Sequence, residues 1–131
     1  ILIDMKVNED IKKSKILFDK GLKLAQLGNP NDASKLFEEA AWLDPKNPKI
    51  QFNLGTAHLS LGNFEQAIIN LSNAISIDNK LVDAYGNRCV AYYAIGEDEN
   101  SSKDFKKAIS LGANEDGLMA ILDYVKTKRK N

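Results

Sequence analysis

Cysteine and histidine are almost missing from this sequence, which has one of each, Cys89 and His58, among its 131 residues. One thiol cannot form an internal disulfide, and it cannot supply a zinc site that needs several cysteines. The same thiol does not distinguish a reducing from an oxidising compartment. The sequence therefore leaves localisation open.

An excess of charge is missing too, because 18 lysine and arginine residues balance 18 aspartate and glutamate residues. Without a net field, the chain has no general attraction for nucleic acid or for an anionic membrane. Its apolar runs are far shorter than the ~20 residues that a membrane-spanning helix needs, and it opens with no signal-peptide pattern. We therefore expect a soluble domain that binds no nucleic acid and does not itself insert into a membrane.

The first residue is Ile1 rather than methionine, so we expect this chain to be a portion of a longer protein. Localisation is then cytoplasmic, or on the periplasmic or exported side if the full-length protein carries an upstream signal or anchor. With 131 residues, the chain has the size of one ordinary domain, which buries roughly two thirds of the surface that its unfolded form exposes.

What the sequence does contain is an internal repeat. Four sets of residues recur 34 positions apart: Gly21, Gly55 and Cys89; Gly28, Gly62 and Gly96; Ala40, Ala74 and Ala108; Phe37, Leu71 and Phe105. A fixed period of this length indicates a repeat architecture, in which each unit buries its apolar face against its neighbours.

Helical periodicity connects these repeated positions. It is interrupted at Gly28-Asn29-Pro30, Asp44-Pro45 and Gly62-Asn63, since glycine adopts the left-handed C-cap geometry and proline cannot extend a helix. We therefore predict seven helices, with Asn8 as the first N-cap. Their approximate ranges are 8–27, 31–43, 48–61, 64–77, 81–95, 100–111 and 115–128.

The first seven residues follow a different pattern. Ile1, Ile3, Met5 and Val7 alternate with other residues, and this period of two is more typical of an extended segment than of a helix. Two interpretations stay open: a remnant of an upstream linker or helix that lies against the first repeat, or an arm that pairs with another chain. Trp42 also has two interpretations: its side chain covers this arm, or it marks a second contact surface.

From about Ser14 to Leu111, the repeated residues resemble the tetratricopeptide repeat family. The middle unit matches best, through Asn53-Leu54-Gly55, Ala57, Gly62, Phe64, Ala67, Leu71 and Ala74. The resemblance implies an all-α fold, a right-handed α-solenoid of three tetratricopeptide helix-turn-helix repeats plus a C-terminal capping helix. We expect one domain over 1–131, with an N-terminal arm and helix start at 1–13, repeats at 14–47, 48–81 and 82–113, and the capping helix at 114–131.

The resemblance also implies a function. In this family the first helix of each pair lines a concave groove that holds a segment of a partner protein, which predicts a protein–protein interaction module acting as adaptor or assembly scaffold. The partner-binding groove is predicted to be formed by Lys15, Phe18, Asp19, Leu22, Lys49, Phe52, Asn53, Thr56, Leu59, Asp83, Asn87, Val90 and Tyr93.

The apolar members of this set predict a track for an apolar or amphipathic segment of another protein. They are Phe18, Leu22, Phe52, Leu59, Val90 and Tyr93. The amides of Asn53 and Asn87 are predicted to hold the backbone of that segment; the alternative is that each bonds to a neighbouring helix.

A subgroup of the family grips the carboxylate of heat-shock chaperone C-terminal tails with lysine, arginine and asparagine side chains. Of the positions that the subgroup uses, only Asn53 matches here. Phe18 and Leu22 stand where this subgroup has lysine and asparagine, and Asp83 and Asn87 stand where it has lysine and arginine. We therefore expect heat-shock chaperone tails not to be the ligand.

The residue pattern contains no motif for catalysis, for a metal site or for a cofactor, so we expect a non-enzymatic protein. His58 falls on a buried helix face and is interpreted as a packed, hydrogen-bonded ring. Cys89 falls at the predicted helix crossing and is interpreted as a small core residue. The basic residues at 126–130 are interpreted as a C-terminal helix cap that complements the helix dipole, rather than a binding patch.

Two alternative functions stay open beside the interaction module. One is self-association into a homo-oligomer through the first seven residues, Trp42 or an uncapped face of the first helix. The other is a regulatory domain of a larger protein. The sequence distinguishes neither from the adaptor role.

Overall fold

The computed structural model describes residues 1–129, and these form seven α-helices without a β-strand. The helices are α1 (Leu2–Gln26), α2 (Pro30–Leu43), α3 (Pro48–Ser60), α4 (Phe64–Ile77), α5 (Val82–Ala94), α6 (Asp98–Ser110) and α7 (Glu115–Lys128). Six of the seven follow the predicted ranges within two residues. The exception is α1, which begins much earlier.

Glycine ends four of the helices, α1, α3, α5 and α6. The residue that follows each helix cap has a positive φ, a conformation that glycine adopts without the steric clash of a Cβ atom. These residues are Gly28 (78°), Gly62 (76°), Gly96 (83°) and Gly112 (105°). The 34-residue spacing of the first three therefore repeats a helix end.

Asparagine caps fix several of the helix starts. The Oδ1 atom of Asn29 accepts a hydrogen bond from the backbone N–H of Asp32 at 3.1 Å, and Asn47 does the same for Lys49 at 3.0 Å. Each cap is followed by a proline at the first helical position, where the missing N–H has no partner to lose. The predicted turns at these positions are confirmed.

The helices pair along the chain as three hairpins, α1 with α2, α3 with α4, and α5 with α6. Each hairpin packs on the next through α2 against α3 and α4 against α5, while α3 touches α5 and α5 touches α7. The odd-numbered helices therefore form one layer and the even-numbered helices the other. The chain is an all-α helical solenoid, as predicted; its handedness, its count of repeats and their boundaries stay predictions.

Two glycines allow the first two hairpins to close. A Cβ atom placed on Gly55 would lie 2.7 Å from Leu71 Cγ, and one on Gly21 would lie 2.6 Å from Phe37 Cε1. Leu71 and Phe37 are completely or almost completely buried. The helix backbones can approach this closely only because no side chain separates them.

Cys89 occupies the equivalent place in the third hairpin. It is fully buried, and its Sγ atom lies 3.3 Å from Ser101 Oγ. The serine hydroxyl donates to the Cys89 carbonyl oxygen at 2.9 Å, so α5 and α6 are joined by a hydrogen bond at their crossing. The interpretation of Cys89 as a small core residue is confirmed.

A buried ion pair adds a second connection in the third hairpin. Arg88 Nε and Nη2 donate to the two carboxylate oxygens of Asp104, at 2.7 and 2.8 Å, and Nη1 donates to Ser72 Oγ at 3.0 Å. Asp104 is only 5% exposed. The bidentate geometry satisfies both oxygens, as a buried carboxylate requires, and one arginine thereby joins α4, α5 and α6.

The predicted extended arm at the N-terminus is wrong. Residues 2–7 are the first turns of α1, and Asn8, the predicted N-cap, lies inside the helix. This segment lacks proline and glycine, Asp4 lies in the first turn, and Lys6 Nζ is 3.9 Å from Asp10 Oδ1, an i, i+4 pair that supports helix. The alternating apolar residues do not form a strand because they have no strand to pair with.

The capping helix α7 covers the last hairpin with one apolar side. Leu118 is buried, while Leu122 and Val125 pack against the same cluster from partly exposed positions. Ile121 does not belong to this packed side, because its side chain is 49% exposed. It lies at the gap between α5 and α7 instead of facing the hairpin.

Arg129 fastens the end of α7 to the preceding hairpin. Its Nη2 atom lies 2.8 Å from Asp98 Oδ1, and its guanidinium carbon is 4.3 Å from the centre of the Tyr93 ring. The predicted cap role of the basic residues is therefore extended by a tertiary contact that the helix dipole does not require. Lys130, which belonged to that prediction, lies outside the described residues.

We expect Gly55→Ala to lower the free energy of unfolding by about 1–3 kcal/mol, because the new methyl group overlaps Leu71. The matched control is Gly86→Ala on α5, where an added Cβ atom meets nothing within 4 Å. Replacing this helical glycine should raise the free energy of unfolding by about 0.5–1 kcal/mol. Urea denaturation measures both; equal effects of the same sign would contradict the close crossing of α3 and α4.

Candidate partner-binding surface

Two open clefts lie on the layer of odd-numbered helices, which carries all the predicted groove residues. The first cleft lies between α1 and α3, and the second between α5 and α7. Between them, α3 and α5 are in direct contact. The surface is therefore a closed centre with an opening on each side.

The first cleft has a volume of about 380 Å³. The α1 side and its following turn contribute Ala25, Gly28 and Pro30, and α3 contributes polar side chains, Asn53 and Thr56 among them. Phe37 and Ala57 also line the cleft, so its walls combine apolar surface with the polar side chains of α3. Of the predicted groove residues, Asn53 and Thr56 are brought together here.

The second cleft has a volume of about 200 Å³. It is lined on α5 by Asp83, Gly86 and Val90, and on α7 by Gly117 and Ile121. Glycine on both helices exposes backbone to the space between them. Asp83 and Val90 belong to the predicted groove and lie on the same wall.

A short chain of hydrogen bonds closes the centre of the surface. Asn87 Nδ2 donates to Thr56 Oγ1 at 3.0 Å, and that hydroxyl donates to the Phe52 carbonyl oxygen at 2.9 Å. Asn87 therefore bonds to a neighbouring helix, as the alternative interpretation stated. Asn53 Nδ2 donates to the Lys49 carbonyl oxygen of its own helix at 2.8 Å.

Most residues of the predicted apolar track are partly buried and pack against the core. Phe18 and Leu22 pack against the cluster around Phe37, with the two phenylalanine ring centres 5.6 Å apart. Phe52 and Leu59 pack against the cluster between α4 and α5. The apolar side chains at these positions pack within and between the hairpins. A sequence pattern cannot distinguish an apolar residue that packs in this way from one that contacts a ligand.

Val90 and Tyr93, the other two members of the track, meet α7. Val90 is 7% exposed and belongs to the cluster that contains Leu118, although it also borders the second cleft. Tyr93 lies beneath the guanidinium of Arg129. The capping helix therefore covers the end of the track.

Four exposed charged residues border the surface, Lys15, Asp19, Lys49 and Asp83. Lys15, Lys49 and Asp83 stand at equivalent positions of successive units, so the charge changes sign along the layer. The residues that line the first cleft are uncharged, with Lys49 one helical turn from Asn53, whereas the second cleft has the Asp83 carboxylate on its wall. Such an arrangement favours one orientation of a polar ligand over the reverse.

The proposal that Trp42 covers the N-terminal arm is wrong, because its side chain is 88% exposed. It lies on α2 beside Glu38, Glu39 and Leu43. The N-terminal residues cannot reach it as an extended arm because they are held in α1. Its role as a second contact surface stays a prediction.

His58 makes the predicted hydrogen bond, with Asn63 Nδ2 3.3 Å from its Nδ1 atom, but its ring is only partly buried. Burial lowers the pKa of His58 below its ordinary value, while the charge of Glu38 acts in the opposite direction. The partner of the ring is thus the turn that follows α3, and the residue is not part of the core clusters.

Residues 1–129 hold no group of three or more histidine, cysteine, aspartate or glutamate side chains that could bind a metal ion. None of the helices in this part of the chain combines the length and the hydropathy that a membrane crossing requires.

Sequence reasoning missed the glycine walls of the second cleft. Gly86 and Gly117 belong to no repeated set, and neither breaks its helix. The available signal was an isolated glycine inside a helical pattern, which often marks close backbone approach. It also missed Ala25 and Pro30 as cleft residues, because the distance between their predicted turn and α3 depends on how the hairpins pack.

Comparison with known proteins gives a consistent result. Two family models, described as tetratricopeptide repeat and TPR repeat, match residues 24–72 and 57–96, which together span more than half of the chain. No curated protein sequence matches significantly.

Solved structures extend this comparison to most of the chain. The first TPR of Spaghetti (RPAP3) bound to HSP90 peptide SRMEEVD superposes with a TM-score of 0.80 at 24% identity, over 90% of this chain and 94% of that one. The Arabidopsis OM64 TPR domain gives 0.80 at 24% identity, over 91% and 98%. The crystal structure of MamA gives 0.74 at 21% identity, over 88% and 77%. At these identities, the similarity establishes the fold.

We expect Cys89 to react with a thiol reagent only when the protein unfolds. Burial raises the pKa of Cys89 above its ordinary value, against the hydrogen bond of Ser101, and the fully buried Sγ atom is out of reach of the reagent. Labelling with Ellman's reagent at pH 8 should therefore be slow in buffer and fast in urea. A rapid stoichiometric reaction in buffer would contradict a buried thiol.

Proposed function

This chain belongs to the tetratricopeptide repeat family, and we propose that it acts as an adaptor or assembly scaffold that holds a segment of a partner protein along the odd-numbered layer. The family fold is that of non-enzymatic protein-interaction modules. The observation that carries the proposal is the pair of clefts on one face, on either side of the contact between α3 and α5.

The chemistry of the clefts supports an amphipathic segment as the ligand. The second cleft places the apolar Val90 and Ile121 beside Asp83, and the first places Pro30 beside Asn53. Apolar side chains of the segment would enter the clefts, and its polar backbone would meet the amides and hydroxyls.

The amide groups retain capacity for a ligand. Asn53 and Asn87 each use Nδ2 within the fold, which leaves the Oδ1 atoms to accept backbone N–H groups of the segment. The internal bonds also fix the direction of each amide before binding. Such preorganisation lowers the entropy lost when the complex forms.

The change of charge along the layer gives the segment a direction. An acidic part of the segment would lie near Lys49, one turn from Asn53, and a basic or neutral part would lie near Asp83. Reversing the segment would bring like charges together, which is unfavourable.

A heat-shock chaperone tail fits this surface poorly, although related structures carry HSP90 or HSP70 peptides. Those tails end in acidic residues, and Asp83 would repel them at the second cleft. Phe18 and Leu22, at two other gripping positions, are packed against the core and offer no donor. We therefore propose a partner other than these tails.

Blocking each cleft tests the adaptor role. Asn53→Arg fills the first cleft and Gly86→Arg fills the second, and each should remove bound partner in affinity capture from a cell extract while far-ultraviolet circular dichroism stays unchanged. Asn73→Arg, on the exposed side of α4, is the matched control and should retain the partner. If all three variants capture the same proteins as the unmodified chain, the ligand does not bind in the clefts.

A labelled SRMEEVD peptide tests the proposed exclusion of chaperone tails. We expect a dissociation constant above about 1 mM, since the lysine and arginine side chains that grip the tail carboxylate in the chaperone-binding subgroup are missing here. Asp83→Lys with Asn87→Arg should tighten binding at least ~10-fold in fluorescence anisotropy, because charge-assisted hydrogen bonds contribute about 1.5–3 kcal/mol each.

The control for this experiment is Glu99→Lys with Asn100→Arg on α6, which makes the same change in net charge away from the clefts. It should leave the affinity unchanged. Micromolar binding by the unmodified chain would reject the proposed exclusion.

A further inference from the structure

Helix α1 extends well beyond the helix that it pairs with. It has 25 residues, whereas α3 and α5 have 13 each. Ser14 Oγ donates to the Ala40 carbonyl oxygen at 2.8 Å, which sets the register of α1 against α2. Since α2 ends at Leu43, three residues later, its end is level with about Ile11 in an antiparallel pair. The projection, residues 2–10, therefore extends about 14 Å past α2.

The projection carries an apolar stripe in the direction of α2. Ile3, Val7 and Ile11 follow one another at i, i+4 and i+8, and the next positions of the same helix face, Ser14 and Phe18, contact α2. The three side chains are 79%, 49% and 45% exposed. Nothing else in residues 1–129 takes the place of α2 along this stripe.

We propose that a second copy of this chain covers the stripe, with the two projections antiparallel and a two-fold axis beside Val7. The spacing is self-complementary: Ile3 would pack on Ile11 of the partner subunit, and Val7 on Val7 of the partner subunit. An isologous contact requires such symmetry of one surface with itself. A sequence of three branched side chains centred on the middle one meets this requirement.

The position and charges of the projection also fit this arrangement. The projection of the second copy would lie beside α1 in the space beyond Leu43, where α2 ends. Lys6 and Asp10, which pair within one helix at 3.9 Å, flank the stripe and can exchange partners across the axis. A few isolated helical turns are marginal in water, so a second helix would also stabilise them.

The small size of the contact indicates a weak dimer. Three side chains and their flanking residues bury on the order of 400–500 Å² per copy, below the ~800 Å² of a stable complex. Dimerisation should therefore depend on concentration in the micromolar range or above. The contact does not use the cleft residues, so it stands independently of the proposed function.

Sedimentation of the 131-residue chain over a range of about 10 µM to 1 mM tests the proposal. We expect the apparent mass to rise from 14.5 kDa towards twice that value. Val7→Glu places two carboxylates at the axis and should weaken the dimer at least ~10-fold. The control is Ile69→Glu on α4, a position of similar exposure (53%), which should leave dimerisation unchanged.

A cysteine at the axis tests the arrangement directly. Val7→Cys should form a disulfide-linked dimer on mild oxidation, because the two side chains meet there, whereas Met5→Cys, on another side of the helix, should not. A strict monomer throughout the concentration range, a dimer unaffected by Val7→Glu, or equal crosslinking of the two cysteine variants would overturn the proposal. The first outcome would leave another segment or protein as the occupant of the stripe.

Discussion

The contact of a glycine on one helix with a bulky side chain on the next holds the first two hairpins together. Gly21 receives Phe37 and Gly55 receives Leu71, each at a distance that a Cβ atom would forbid. Because the helices cross so closely, their remaining apolar residues interlock along the hairpin and its neighbours. The close pairing of α1 with α2 and of α3 with α4 depends on these crossings.

In the third hairpin, hydrogen bonds and an ion pair hold the two helices together at their crossing. Cys89 is larger than glycine, and Ser101 opposite it is small and bonded to the Cys89 carbonyl oxygen. Arg88 and Asp104 supply a bidentate buried pair across the hairpin. Directional contacts of this kind fix one arrangement of α5 and α6, and the wall of the second cleft depends on that arrangement.

The first and last helices of the described solenoid differ in how much of their apolar surface is covered. At the C-terminus, Leu118 and Arg129 hold α7 against the last hairpin, through apolar packing and a contact with Asp98. At the N-terminus, α1 extends past its partner with its apolar stripe exposed. A repeat protein has to close or use both of its end faces, because each unit is covered only by its neighbours. In the described residues, α7 thus covers the last hairpin, whereas the apolar stripe of α1 is exposed.

The sequence by itself determined the repeat, the helix ends and the residues at the helix crossings, because each depends on local chemistry. Glycine at a left-handed C-cap, asparagine before proline, and small residues 34 positions apart have the same meaning in any packing. The start of α1 could not be found in this way. Apolar residues alternate over residues 1–7, but this short pattern did not prevent the helix from continuing through them. Nor could Phe18 and Phe52 be separated from ligand contacts, because a core and a groove select the same side chains. Only the tertiary structure decided which apolar residues were already packed, where Trp42 and Ile121 lay, and where two helices left a cleft, since these depend on distances between units that no local pattern records.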